Sequence, residues 1–432
     1  MEPSKRLLTG ETCPPACPRH LEANVAGIPP CLLGAQRHTV LNLEKICRVA
    51  LMVVPQATGD FLDQAWESLS TIRAVLKQQT ETMTVTVQTV FLRRAEDSLA
   101  CQRLFHAFYG DRMPVTNFVV QPPCGGEDLA IEAWAVGGSA AEIQFHDANT
   151  VSVAYDGLRW IHCGGVSPPP VLSTAHEQSK SAFGRMADLL THAGASFNDV
   201  ARIWLYQGGI TESENGIERY RELNRARADF FQNHQFGDRL VEHHNGSSLY
   251  PASTGIGTFG HGLVTGCLAL QTERKDVHLL PLENPVQMPS FEYDKRFSDQ
   301  SPKFSRAMAV IIGDYLTTWI SGTASIVGSE SRHAGDIEGQ TEQTIDNIEQ
   351  LISRSNFERH GLPEVGANLS DLAKVRVYVK RPEDFEKCRS VCERRFGPLP
   401  AIYAVADVCR PELLVEIEGV AFSPILSKIA EP

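Results

Sequence analysis

Near its C-terminal end the chain reads CRPELLVEIEGVAF, starting at Cys409. Leu413, Leu414, Val415 and Ile417 have the make-up of a buried strand, yet Glu416 and Glu418 sit among them. Residues two apart share one face of a strand, so the two carboxylates face the same way. Burial disfavours the charged form of a carboxyl and raises its pKa. A carboxyl that keeps its proton near neutral pH can serve as a general acid. Glu416, flanked by Val415 and Ile417, is the candidate acid, and Glu418 would raise its pKa further if close. The alternative is that Glu416 only hydrogen-bonds across a packing interface, because ion-pair networks perturb carboxylates too. Cys409 precedes the pair. Buried cysteines usually act as small hydrophobes, and no histidine follows this one in a recognisable pairing, so a nucleophile is not expected.

Other side chains could hold an anion. Arginine meets a carboxylate with two parallel hydrogen bonds. Arg376 in AKVRVYVK and Arg225 and Arg227 in LNRARADFF are the candidates. Their ordinary alternative is a solvated helix face or an interfacial ion pair. Tyr206, Tyr220 and Tyr250 offer phenolic donors and are equally suited to interface packing. His243 and His244 have no third ligand at metal spacing and read as a surface loop. Cys13, Cys17 and Cys31, with His20 and His38, fit no standard zinc pattern, and the prolines around them point to an irregular leader. GTASIVG lacks the lysine of a phosphate loop. Cys388 and Cys392, one helical turn apart, read as packing. Neither a metal nor a cofactor is expected.

The elements that must position these residues recur three times. Each copy has a helix, an alternating strand, a second helix, a proline-bearing strand and a final apolar strand. The first runs from FLDQAWESLSTIRAVLK to EDLAIEAWAVGG. The second runs from GLRWIHCGGVSPP to HGLVTGCLALQ, and the third from YLTTWISGTASIVG to ELLVEIEGVAF. The expected organisation is a leader over 1–40 and α+β units over 41–140, 148–275 and 300–425. Matching the final strands puts Glu132, Thr265 and Glu416 in one slot. In the middle strands, Val375, Val377 and Val379 should cover the helices, as should Ile203 and Leu205. Arg376 and Tyr378, and Arg202, Trp204 and Tyr206, should point from the opposite face. A sheet face bearing Arg, Trp and Tyr needs another surface to pack on, and the other copies can supply it.

Bulk properties exclude several classes. A chain of 432 residues is expected to hold two to four domains. Its net charge of −12 argues against a general nucleic-acid binder. No apolar run is long enough to span a membrane, and no signal peptide is evident. Eleven cysteines without a regular framework read as reduced thiols in the cytoplasm.

The third copy, with SGTASIVG, GDIEGQTEQTIDNIEQLI, DLAKVRVYVK and LLVEIEGVA, resembles the Rid (YjgF/UK114) imine deaminases. That resemblance implies a chorismate-mutase-like α+β unit. It also implies trimers with sites at subunit clefts, hence one chain forming an internal pseudo-trimer and otherwise monomeric. The family's substrate-binding arginine is absent. Thr116, Ser253 and Ile402 stand at the corresponding positions, so Ser253 and Thr254 imply a different anion site. The set YRELNRAR, YPASTGIG, SGTASIVGSESRHAGD and CRPELLVEIEG is more closely similar to the chorismatases, which cleave the enolpyruvyl ether of chorismate and release pyruvate with either 3-hydroxybenzoate or a dihydroxy-cyclohexadienoate. The similarity implies Glu416 as the catalytic glutamate. It places Gly322, Thr323 and Ala324 at the substrate, with Gly322 and Cys409 matching the type that forms 3-hydroxybenzoate. A Rid-type 2-iminoacid deaminase and a non-catalytic metabolite-binding protein are the competing readings.

Overall fold

The alternating apolar stretches become three six-stranded sheets in a computed structural model that describes residues 5–8 (backbone only), 37–43, 45–56, 59–237, 249–293 and 300–425. The first sheet holds β1 (Lys5–Leu8), β2 (Arg37–Leu43), β3 (Ile46–Val53), β4 (Met83–Leu92), β5 (Val115–Val120) and β6 (Leu129–Gly137). The second holds β7 (Glu142–Asp147), β8 (Thr150–Tyr155), β9 (Leu158–Val166), β10 (Val200–Gly208), β11 (Ala252–Thr258) and β12 (Leu263–Thr272). The third holds β13 (Val277–Leu282), β14 (Ala307–Ile312), β15 (Tyr315–Ala324), β16 (Leu372–Val379), β17 (Ala401–Val405) and β18 (Val415–Pro424). Spatial order is the same in each: first, second, third, sixth, fourth, fifth. The fourth and fifth strands of every sheet run parallel. A parallel pair needs a crossover, and a helix supplies it each time.

Helices α1 (Phe61–Lys77) and α2 (Ser98–Tyr109) belong to the first sheet, and α3 (Ala175–His192) and α4 (Arg219–Phe231) to the second. Helices α5 (Ile337–Ile352), α6 (Arg354–Arg359) and α7 (Phe385–Phe396) belong to the third. Local chemistry sets their starts. Asp60 caps α1 in a reciprocal box with Asp63, and Thr174 and Asp336 cap α3 and α5 through their side chains. The helices cover one face of each sheet. Val375, Val377 and Val379 pack with Ile345, Ile348 and Val391, and Ile203 and Leu205 pack with Phe183 and Met186, as the alternation predicts. The opposite faces meet one another. Met52, Phe91, Tyr206, Ala324 and Tyr378, drawn from all three sheets, share one apolar cluster.

Several expectations change. The strands that open each sheet were not anticipated, so the second and third sheets begin before residues 148 and 300. Glu142–Asp147 carries polar residues on both faces, and Val277–Leu282 contains Pro281, which an edge strand tolerates because one side needs no ladder bond. Strand β2 likewise begins within the expected leader. Cys13, Cys17, Cys31, His20, His243 and His244 lie outside the described residues. The shared slot also moves. A bulge at the same place in β4, β10 and β16 aligns Thr89, Trp204 and Arg376. Their partners Glu132, Gly266 and Glu418 therefore correspond, and Ala130, Val264 and Glu416 correspond two residues away. Thr265 faces the helices, as Ile417 does. A bulge on the partner strand is invisible in the final strand's own pattern, which is why the slot slipped. The same register matches Thr116 and Ser253 with Ala401, not Ile402, and none of these is arginine.

Candidate active site

Glu416 lies on the inner face of β18, 4% exposed, opposite Tyr378 of β16 and Ala324 of β15. Ser321 and Gly322 drop out of the ladder between β15 and β18. The bulge that results is held by its neighbours. Ser321 N–H donates to the Arg306 carbonyl at 3.0 Å, Ser321 Oγ donates to the Ser305 carbonyl at 2.6 Å, and Ser253 N–H donates to Ser321 Oγ at 2.8 Å. Gly322 N–H donates to Thr254 Oγ1 at 2.9 Å. The bulge brings Gly322 against the carboxyl: a Cβ there would overlap Glu416 Oε1 and come within 3.1 Å of Thr254 Cγ2. Absence of a side chain at 322 is what gives Glu416 its room.

The two carboxylates now separate. Glu418 accepts from Thr254 Oγ1 at 2.6 Å and Trp204 Nε1 at 3.0 Å on one oxygen, and from Tyr378 at 2.8 Å and Arg376 at 2.9 Å on the other. Arg202 pairs with it as well. Burial alone would raise its pKa, but Arg376, Arg202 and Lys374 hold it down at about 2. Glu416 accepts no hydrogen bond from the described residues. Burial and the nearby Glu418 charge push its carboxyl up to about 8, against a weaker pull from Arg202 and Arg306. One carboxylate is thus fixed as an anion, and its neighbour keeps a proton at neutral pH.

Glu416 opens into a pocket of about 240 Å³ between the second and third sheets. Tyr220 and Arg227 reach it from α4, Ser253 from β11, Gly322 and Ala324 from β15, and Cys409 from the loop before β18. Burial raises the Cys409 thiol to about 12, helped by Glu416, so it faces the pocket as a neutral wall. Burial likewise raises the Tyr220 phenol, which stays a donor. Arg227 is buried beside Asn224 and over Phe304, and no carboxylate of the described residues pairs with it. Burial lowers its pKa, with Tyr220 opposing.

Arg306, which sequence reasoning missed, lines the same pocket. It donates to the Met288 carbonyl at 2.8 Å and Tyr293 Oη at 2.6 Å, and no carboxylate of the described residues forms an ion pair with it. Burial would lower its guanidinium, but Tyr293 and Glu283 hold it above the ordinary value. The signal was a lone arginine directly before the apolar run AMAVII. Arg410, Tyr293, Arg221, Glu218 and Glu412 also line it. The pocket therefore presents several guanidinium groups, with two further carboxyl groups, around Glu416.

Five expected contacts lie elsewhere, and a sixth acts from behind the pocket. Arg376 is consumed by Glu132 and Glu418 and does not line the pocket, because both carboxylates reach it first. Tyr206 bonds to Arg376 at 2.5 Å behind the site. Tyr250 packs on Phe231 and Phe291 in a separate cleft. Thr323 pairs with Ile417 in the ladder, which turns it towards the helices, and donates to the Ser321 carbonyl. Thr254 contributes through Gly322 and Glu418. Arg225 stays on the exposed side of α4 with Glu222. Among the described residues no cluster of His, Cys, Asp or Glu could hold a metal, and no helix is long and apolar enough to cross a membrane.

Comparison with known proteins adds a second line. A family model described as "Chorismatase FkbO/Hyg5-like, N-terminal" matches residues 132–269, and one described as "Endoribonuclease L-PSP" matches residues 299–423. A 3-hydroxybenzoate synthase of Streptomyces hygroscopicus is 35% identical over 297 residues, covering 67% of this chain and 80% of its own. A chorismatase of Streptomyces rapamycinicus is 30% identical over 290 residues, covering 65% and 82%. A chorismatase crystal structure superposes with a TM-score of 0.61 at 22% identity, covering 88% of this chain and all of the other, and so shares the fold.

Proposed function

The chain belongs to the chorismatase family, and from that premise we propose that it cleaves the enolpyruvyl ether of chorismate, releasing pyruvate and 3-hydroxybenzoate. The observation that carries this reading is a buried Glu416, its carboxyl pushed up to about 8, in a pocket with Arg227 and Arg306, which pair with no carboxylate of the described residues. Chorismate is a dianion with an acid-labile vinyl ether. Arg227 and Arg306 bind its carboxylates, with Tyr220 and Ser253 as hydroxyl donors. Glu416 gives its proton to the terminal methylene carbon. The neighbouring carbon becomes an oxocarbenium centre, the ring carbon–oxygen bond breaks with its electron pair passing to oxygen, and the three-carbon fragment leaves as pyruvate. The ring cation moves its remaining hydroxyl oxygen to the vacated carbon and loses one proton to Glu416 as it becomes aromatic. The Glu416 carboxylate formed beside Glu418 is disfavoured by like charge, so the proton is recovered readily. Formation of 3-hydroxybenzoate with pyruvate consumes no water overall, whereas hydrolysis to a dihydroxy-cyclohexadienoate consumes one. Gly322 and Cys409 form the wall beside the ring and select the first route.

The same strand order in three sheets supports an internal pseudo-trimer in which only the cleft between the second and third units is catalytic. The corresponding inner position holds Ala130 and Val264 in the other two, so neither has an acid. We place the units at the three sheets with their helices, working as a monomer in the cytoplasm, where the eight described cysteines remain free thiols. The test is direct. Purified protein incubated with chorismate should release pyruvate and 3-hydroxybenzoate in equal amounts. Chorismate recovered intact, with no pyruvate above background, would reject the reading.

A further inference from the structure

The inner faces of the three sheets leave a second, smaller space that the reaction does not use. It is a cavity of about 40 Å³ walled by four tryptophans and lined by Arg48, His162, Arg376 and the Glu132 carboxylate that Arg376 and Lys374 pair with. Its polar lining is rich in donors. Arg48 Nε and Trp319 Nε1 are buried and have no hydrogen-bond partner among the described residues. The Arg48 guanidinium lies over the Trp160 and Tyr155 rings at 5.1 and 5.6 Å, and no carboxylate of the described residues pairs with it. Burial and the Arg48 charge lower the pKa of His162 to about 3, so the imidazole brings no charge of its own.

The charges around this space do not balance. Among the described residues, Arg202, Lys374 and Arg376 are answered by Glu132 and Glu418 alone, which leaves one positive charge over. Arg48, half-buried with its Nε enclosed, adds a second. Buried charges are normally paired, and an unpaired buried N–H costs about 1–3 kcal/mol. A cavity needs roughly 10–15 Å³ to hold one water. This one has room for a few waters or a single halide, and none for an aromatic acid, a sulfate or a phosphate.

We propose that this cavity binds a small inorganic monoanion of the chloride class, held by the Arg48 guanidinium and the Trp319 indole N–H. The ion answers the surplus charge where all three sheets meet, so it acts on stability and not on the substrate pocket. The inference stands apart from the proposed reaction, and its test needs no turnover. Thermal unfolding is measured at constant ionic strength while gluconate, too large for the cavity, is replaced by chloride. The Tm should rise and saturate. A Tm that does not depend on the anion would overturn the proposal. Arg48→Met and Trp319→Phe should each abolish or weaken the chloride-dependent rise, and a rise unchanged in both would overturn it too. Should either variant fail to fold, wild-type crystals soaked in bromide decide: an anomalous peak between Arg48 and Trp319 is expected, and a cavity holding only water would sink the idea.

Discussion

Two carboxylates two residues apart end with opposite protonation, and the cause is their partners. Both are buried, so burial cannot distinguish them. Among the described residues Glu418 collects five donors, and Glu416 collects none. Glu416→Gln keeps the shape and removes the proton, so turnover should fall about 100- to 10,000-fold while the fold persists, read by pyruvate release and circular dichroism. The wild-type pH dependence follows from the same group. The acid form dominates below its raised pKa of about 8, so kcat should be level at neutral pH and fall about tenfold per unit above pH 8. A rate that rose through that range would contradict Glu416 as the proton donor. The two glutamates were legible in the sequence because charge in an apolar strand is conspicuous. Arg306 was not, because one arginine at the mouth of a strand looks like any surface residue.

At the scale of the element, the bulge in β15 decides how Glu416 sits. SGTA read as an ordinary strand with a small residue, and the alternation around it gave no sign that Ser321 and Gly322 leave the ladder. The signal lies across the chain, in Thr254 and Ser305, whose groups take up the freed backbone and hydroxyl donors. Gly322→Ala would set a methyl group on Glu416 Oε1. The carboxyl should swing aside, and the yield of 3-hydroxybenzoate relative to other products should fall in product analysis by chromatography. An unchanged rate and product ratio would show that the close approach at 322 has no catalytic meaning. Helices and helix-facing valines were read correctly, because a 3.6-residue or two-residue period survives in the chain itself. The opening strands of each sheet were missed, because Glu142–Asp147 is half exposed and Val277–Leu282 carries a proline.

Across the whole molecule, buried ion pairs join the sheets. Arg202 of the second meets Glu418 of the third, and Lys374 and Arg376 of the third meet Glu132 of the first. Removing one partner strands the other in the interior, so Arg202→Met should cost about 3–5 kcal/mol in denaturant unfolding. The acid limb follows from Glu418. Its folded pKa lies near 2, below the ordinary carboxylate value, so its contribution is full above about pH 4.3 and is lost as pH falls towards 2. Unfolding midpoints measured from pH 5 to pH 2 should decline accordingly, and a flat profile would contradict the network. These pairings were only half legible: the sequence showed that Arg202 and Arg376 face away from the helices, but not which carboxylate each would find. Because the three sheets lie on one continuous chain, each interface is written separately. In an assembly of identical subunits, any residue placed at one seam is repeated at every seam, and an error is repeated with it. Here a substitution is felt once. One seam could take up an acid, another a pair of cations for Glu132, and the third neither, each free to change without consent from the other two.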